Sequence, residues 1–166
     1  MFFAMMFAAI NEAREQILLT TSYFVPPSSL ATALESAAFR GVKVRLMLAG
    51  KAEFQWTVLA GRSYYGSLLK AGVEIYEYER GLQHAKTLTL DGNWSLIGTP
   101  NFDARSLLLN FEVAVAMYDS KTANQLESHF HEDLKHARQI QLGEWTTRSA
   151  WDVFGENVCR LFAPVL

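Results

Sequence analysis

With 166 residues, half of them hydrophobic and 13% aromatic, the chain suffices for one domain with a real core and is too short for two comfortable ones. Its 15 Lys and Arg against 17 Asp and Glu leave a formal net charge of -2, which argues against a protein living on nucleic-acid phosphates, although a local basic pocket stays open. Cys159 is the sole cysteine, so an intrachain disulfide is excluded; it has no metal-ligand spacing around it and reads as a small core residue in a reducing environment.

The apolar run Met1 to Ile10 meets Asn11, Glu12, Arg14 and Glu15, far short of the roughly 20 apolar residues of a spanning helix. Without a cationic leader or a small-residue cleavage site, it predicts the first helix of the fold, to about Gln16, and not a secretory signal or an anchor. Ile17 to Thr21 reads as a short buried strand that ends before Pro26 and Pro27. Ser28 or Ser29 can cap a helix through Leu30, Leu34 and Ala38 that closes at Gly41. Val42, Val44, Leu46 and Leu48 alternate with Lys43 and Arg45, a period-two strand.

A helical pattern returns from Trp56 to Ala71 and closes on Gly72, after which Val73, Ile75 and Tyr76 open another strand. From His84 the texture changes to closely spaced strands: Thr87 to Leu90, a turn at Asp91-Gly92-Asn93, Trp94 to Ile97, and Phe111 to Met117. Ser120 is placed to cap a helix whose apolar positions Ala123, Leu126, Phe130, Leu134 and Ala137 share one face. The sum is an α/β domain, a mixed β-sheet flanked by helices. Residues 1–140 form the domain and 141–166 an amphipathic helical tail, with Trp151, Phe154, Val158, Leu161, Phe162 and Leu166 near helical spacing. That tail suits either a membrane surface or docking on a protein face.

The chemistry concentrates in His84-Ala85-Lys86, then Asp91, then Gly98-Thr99-Pro100-Asn101. On a strand, residues two apart share a face, so His84 and Lys86 would project side by side. An imidazole can attack phosphorus while the neighbouring ammonium neutralises the phosphoryl oxygens. Asp91, an odd number of positions away, belongs to the turn. Hairpin geometry returns Gly98 to Asn101 beside His84, where Gly98 permits close approach and the Thr99 hydroxyl and Asn101 amide suit a phosphate. Glu112, set among apolar residues, needs a partner, and the His84 Nδ1 is the expected one, leaving Nε2 free to attack.

His84-x-Lys86, four residues, Asp91, six residues, Gly98-Thr99-x-Asn101 resembles the signature of the phospholipase D superfamily, with Thr99 where that pattern usually carries Ser. Segments such as Thr21-Ser22-Tyr23-Phe24-Val25-Pro26 and Arg105-Ser106 through Asn110-Phe111-Glu112 resemble the second half of bacterial cardiolipin synthases, and the likeness runs over nearly the whole chain. The resemblance implies that His84 is a phosphohistidine-forming nucleophile, that Lys86 and Asn101 hold the phosphate and that Glu112 orients His84. It implies phosphatidyl transfer between two phosphatidylglycerol molecules, with no metal or organic cofactor, by a protein peripheral to the bacterial cytoplasmic membrane.

The two-step exchange wants an acid and then a base besides the nucleophile, which the family supplies with two facing His-x-Lys motifs. This chain carries one. His129, His131 and His136 lie among Glu, Asp, Lys and Arg, the pattern of a solvated helix face and not of a metal site. The second half is therefore expected from a partner copy across a two-fold axis or from the rest of a longer enzyme. Two other readings stay open: a single-motif homodimeric phosphodiesterase or endonuclease, and a non-catalytic half that supports a partner.

Overall fold

The computed structural model describes residues 2–52 and 55–162. Its frame is a seven-stranded sheet in the order β8-β6-β5-β1-β3-β4-β9. Strands β1 (Gln16–Thr21), β3 (Lys43–Ala49) and β4 (Glu74–Tyr78) run parallel, joined through helical crossovers. On one side β5 (Thr87–Leu90), β6 (Trp94–Gly98) and β8 (Ala114–Met117) continue the sheet antiparallel, and on the other β9 (Ala137–Ile140) pairs antiparallel with β4. A separate parallel pair joins β2 (Phe24–Val25) to β7 (Phe102–Asp103), with Phe24 opposite Phe102 and Val25 opposite Asp103.

The pleat sorts the side chains. Ile17, Leu19, Val44, Leu46, Leu48 and Ile75 face a core closed by α1 (Phe2–Glu12), α2 (Ser28–Phe39) and α4 (Tyr65–Ala71). Leu18 and Met47 point to the opposite face and pack against Phe130 of α6 (Ser120–Leu134). β1 is thus covered on both faces, as expected of a central strand in a parallel set, and each fully buried Ile or Leu contributes about 1.5–3 kcal/mol. Ile10, Leu30, Leu34 and Leu68 carry the helices onto the sheet and are fully buried.

Several boundaries depart from the sequence reading. The first helix stops at Glu12, because Gln16 already pairs with Lys43. The α2 cap position is Pro27, whose carbonyl accepts from Leu30 and Ala31, with no side-chain cap from either serine. The expected single helix from Trp56 to Ala71 is two, α3 (Gln55–Arg62) and α4. Ser63 Oγ donates to the Ala60 carbonyl at 2.6 Å, drawing it out of the helical ladder. Arg62 forks onto both carboxylate oxygens of Glu77 at 2.9 Å. α6 is capped by Asp119, which accepts from Thr122 N–H at 2.8 Å, and Ser120 is its first helical residue.

Ala137 lies in β9, not in α6, because the helix ends at Leu134 and the chain turns back to cover the β4 edge. His129 and His131 are exposed, and Arg80 Nη1 lies 3.0 Å from Nε2 of His136. The tail forms α7 (Leu142–Thr146) and α8 (Ala150–Leu161), the latter capped by Ser149 and packed beside α3. The helical reading through Leu166 includes residues 163–166, which lie outside the described residues. Among the described residues no helix is long and apolar enough to cross a membrane.

Candidate active site

The site is assembled at the end of the sheet where β1, β3 and β4 finish, a usual place for ligands in open α/β sheets. Strand order explains its geometry. Residues 79–86 must carry the chain from β4 past the ends of β3 and β1 to reach β5. His84 and Lys86 therefore lie in this crossing segment and not on a strand, which corrects the expectation that they share a strand face. The His84 side chain is exposed, and among the described residues its ring has no hydrogen-bond partner.

Lys86 is half-buried, with Nζ donating to Ser22 Oγ at 3.1 Å and to the His84 carbonyl at 2.9 Å. Two of the three ammonium protons are thus engaged. Burial pushes the Lys86 pKa below the ordinary lysine value, while the negative charges of Glu112 and Asp103 act in the other direction. Ser22 stands just past the end of β1, so the parallel strand itself fixes where this ammonium sits.

The hairpin β5–β6 brings the second part of the motif back. Leu90 O accepts from Asn93 N–H at 3.2 Å, and Asp91 and Gly92 both take positive φ, 50° and 64°, the geometry of a primed hairpin turn. The Asp91 carboxylate accepts from three successive backbone N–H groups, those of Arg14, Glu15 and Gln16, at 2.9, 2.8 and 2.9 Å. It clamps the start of β1 and stands at the opposite end of the hairpin from Lys86. At the returning end Gly98 N–H donates to the Lys86 carbonyl at 3.2 Å. A Cβ on Gly98 would collide with the Val113 carbonyl oxygen and with Ala114, so the close approach this glycine permits is to β8.

Thr99 is locked to the segment before β8. Its N–H donates to the Val113 carbonyl at 2.8 Å, its Oγ1 accepts from Val113 N–H at 3.0 Å, and its hydroxyl donates to Glu112 Oε2 in a short contact. Glu112 precedes β8, which begins at Ala114, so it is not a strand residue as expected. Its carboxylate is held by Thr99 and, at 3.4 Å, by Asn110 Nδ2, with no hydrogen bond to His84 among the described residues. The cause is local: pairing of Gly98 with Ala114 brings Thr99 against residues 112–113. Asn101 is half-buried, and its Oδ1 is buried with no partner, a polar atom left for a ligand or water.

Lys86, Gly98, Thr99 and Glu112 thus converge, Asn101 follows two residues on, and His84 joins them through its main chain while its ring points to solvent. Sequence reasoning missed Ser22 and Asp103. Asp103 is buried, accepts from Ser106 N–H at 2.7 Å as the cap of α5 (Ala104–Leu108), and has its pKa raised chiefly by burial. Its signal was an Asp-x-x-Ser cap immediately after the motif; that of Ser22 was the polar run Thr20-Thr21-Ser22 ending a buried strand. Among the described residues no three His, Cys, Asp or Glu side chains gather to hold a metal ion.

Known proteins resemble this chain in sequence and in fold. The probable cardiolipin synthase YwiE of Bacillus subtilis (strain 168) is 40% identical over 157 residues, covering 95% of this chain and 31% of that relative. The chain spans about a third of the length of the curated relatives it matches. Among solved structures, the phospholipase D family member Nuc from Salmonella typhimurium superposes with a TM-score of 0.74 at 22% identity, covering 84% of this chain and 90% of that one. Phosphatidylserine synthase of Haemophilus influenzae Rd KW20 gives 0.73 at 14% identity, covering 96% of this chain and 41% of that one. Both establish the fold. Residues 6–134 match the family described as "Cardiolipin synthase, PLD-like domain", and with that span and that fold the chain belongs to the PLD-like family of cardiolipin synthases.

Proposed function

We propose that this chain is one catalytic half of a phosphatidyltransferase of the cardiolipin synthase type. The observation that carries the reading is a half-buried Lys86 ammonium with a proton to spare, fixed by Ser22 and the His84 carbonyl at the end of the parallel strands, with Asn101 at the returning end of the hairpin to donate through its Nδ2. Such a place accepts a phosphodiester: the ammonium offsets the developing charge and the amide orients the phosphate. His84, exposed at its rim, is the nucleophile.

In the first step His84 Nε2 forms a bond to phosphorus and the P–O bond to glycerol breaks, the departing oxygen taking a proton from an acid on the second His-x-Lys half. In the second step the hydroxyl oxygen of another phosphatidylglycerol bonds to phosphorus, its proton passes to that same group, and the N–P bond breaks. Glu112 orients the imidazole during the cycle. This assignment needs the carboxylate to leave Thr99 for the ring when the lipid and the second half are in place. That second half comes from a partner copy or from a longer protein. The work takes place peripherally at the bacterial cytoplasmic membrane.

The test is to incubate phosphatidylglycerol with the chain alone and with the chain joined to a full-length relative's other portion. The expected result is cardiolipin and an acid-labile phosphate adduct on His84 in the joined protein only. An adduct on another residue, or cardiolipin formation undiminished in His84→Ala, would overturn the assignment.

A further inference from the structure

α8 docks on the domain the wrong way round for an ordinary amphipathic helix. Its one buried residue is Glu156, 3% exposed, paired with Arg148, whose guanidinium lies 3.2 Å from the Trp145 ring centroid. Arg160 stacks over Tyr64 at 4.4 Å. Charged side chains, with Cys159 against the core, therefore hold the helix in place, while Phe154 (62% exposed), Val158 and Leu161 turn outward on one side. A helix that packs by its apolar stripe would do the reverse.

Those three side chains form one wall of an open cleft of about 660 Å³ whose other wall is Val25, Pro26 and Ala104. The cleft adjoins the catalytic end of the sheet. Val25 pairs with Asp103, Ala104 follows Asp103, and three residues before Val25 stands Ser22, which holds Lys86 Nζ. The same two segments serve both places.

We propose that this cleft holds an acyl chain of the phospholipid whose phosphate is bound at Lys86 and Asn101, an inference that rests on the function proposed above. Continuity with the site supplies the occupant: a phosphodiester seated there carries hydrocarbon that must leave the polar end of the sheet, and this apolar channel opens beside it. An extended polypeptide fits less well than hydrocarbon, since Pro26 and Pro27 offer it no N–H and the polar groups of the lining, Ser28, Asn157 and Arg160 among them, are outnumbered by apolar ones. Phe111, Val113 and Val115, also exposed, belong to β8 and the segment before it and do not line the cleft.

The experiment is photolabelling of the full chain with phosphatidylglycerol vesicles doped with phosphatidylglycerol bearing a diazirine on one acyl chain, followed by peptide mapping. Label is expected on Phe154, Val158 or Leu161 and on residues 25–27. Val158→Glu or Phe154→Ser should cut it by about tenfold, whereas Trp151→Ser, on the same helix but outside the cleft, should hold it within about twofold. Label confined to the β8 surface, loss in Trp151→Ser equal to that in Val158→Glu, cross-links joining α8 of two copies, or no label at all would each overturn the cleft. Labelling needs no turnover, so a joined protein that labels here but makes no cardiolipin sinks the catalytic reading alone, and a joined protein that makes cardiolipin without label here sinks only the cleft.

Discussion

Thr99 and Glu112 are bonded to each other: the Thr99 hydroxyl donates to the Glu112 carboxylate while its oxygen accepts from the Val113 N–H at 3.0 Å. One small side chain thereby sets both the position of the acid and the start of β8. Thr99→Val removes the donor to Glu112 and the acceptor of Val113 N–H and should lower stability by about 1 kcal/mol, whereas Thr99→Ser should lie near wild type. Urea denaturation of the two variants checks it; equal midpoints would show the contact to be idle.

Gly98→Ala should be worse than its size suggests. The added methyl would run into the Val113 carbonyl and Ala114, forcing β6 and β8 apart at a cost of about 1–3 kcal/mol. Amide exchange in β8 should accelerate in the variant, and unchanged protection there would refute the steric reading.

Glu77 is 2% exposed and carries Arg62 through two bonds of 2.9 Å and Arg138 through one of 3.3 Å. Glu77→Gln leaves the partly exposed Arg62 guanidinium without its countercharge and should cost about 1–3 kcal/mol. Thermal unfolding should fall by about 3–10 °C for a domain of this size. A drop under about 2 °C would mean that solvent already screens the cluster.

Lys86 titrates below the ordinary lysine value of 10.5 because burial disfavours its ammonium. The folded chain therefore binds fewer protons than the unfolded one in the window just under that value. This group's contribution to stability accordingly rises with pH through the window, while its service to a phosphate is lost there. Lipid exchange by the joined enzyme should show an alkaline limb below 10.5 that Lys86→Arg displaces upward, since a guanidinium stays charged. An unmoved limb would take Lys86 out of the titration.

Much of this was legible in the chain. Period-two runs in β3, the Pro26-Pro27 stop, Gly72 after α4 and the Asp91-Gly92 turn each follow from local rules, and hairpin geometry alone returned Gly98 to the start of the hairpin's first strand, where its N–H meets the Lys86 carbonyl. What stayed hidden depended on strand order. Nothing local shows that residues 79–86 must cross two strands, which is why His84 and Lys86 were expected on a strand. Nor does anything local show that α6 ends early so that residues 137–140 can cover the β4 edge. Glu112 was misjudged for the same reason, because its neighbour across the sheet, Thr99, is fixed by pairing and not by sequence distance.

The Asp91 carboxylate spans a separation of 75 to 77 residues to reach Arg14, Glu15 and Gln16. The hairpin that displays the motif is therefore finished only by residues from the beginning of the chain. The motif is no portable cassette: grafting residues 84–112 onto a foreign sheet would transplant the letters and leave behind the clasp that gives them their spatial order.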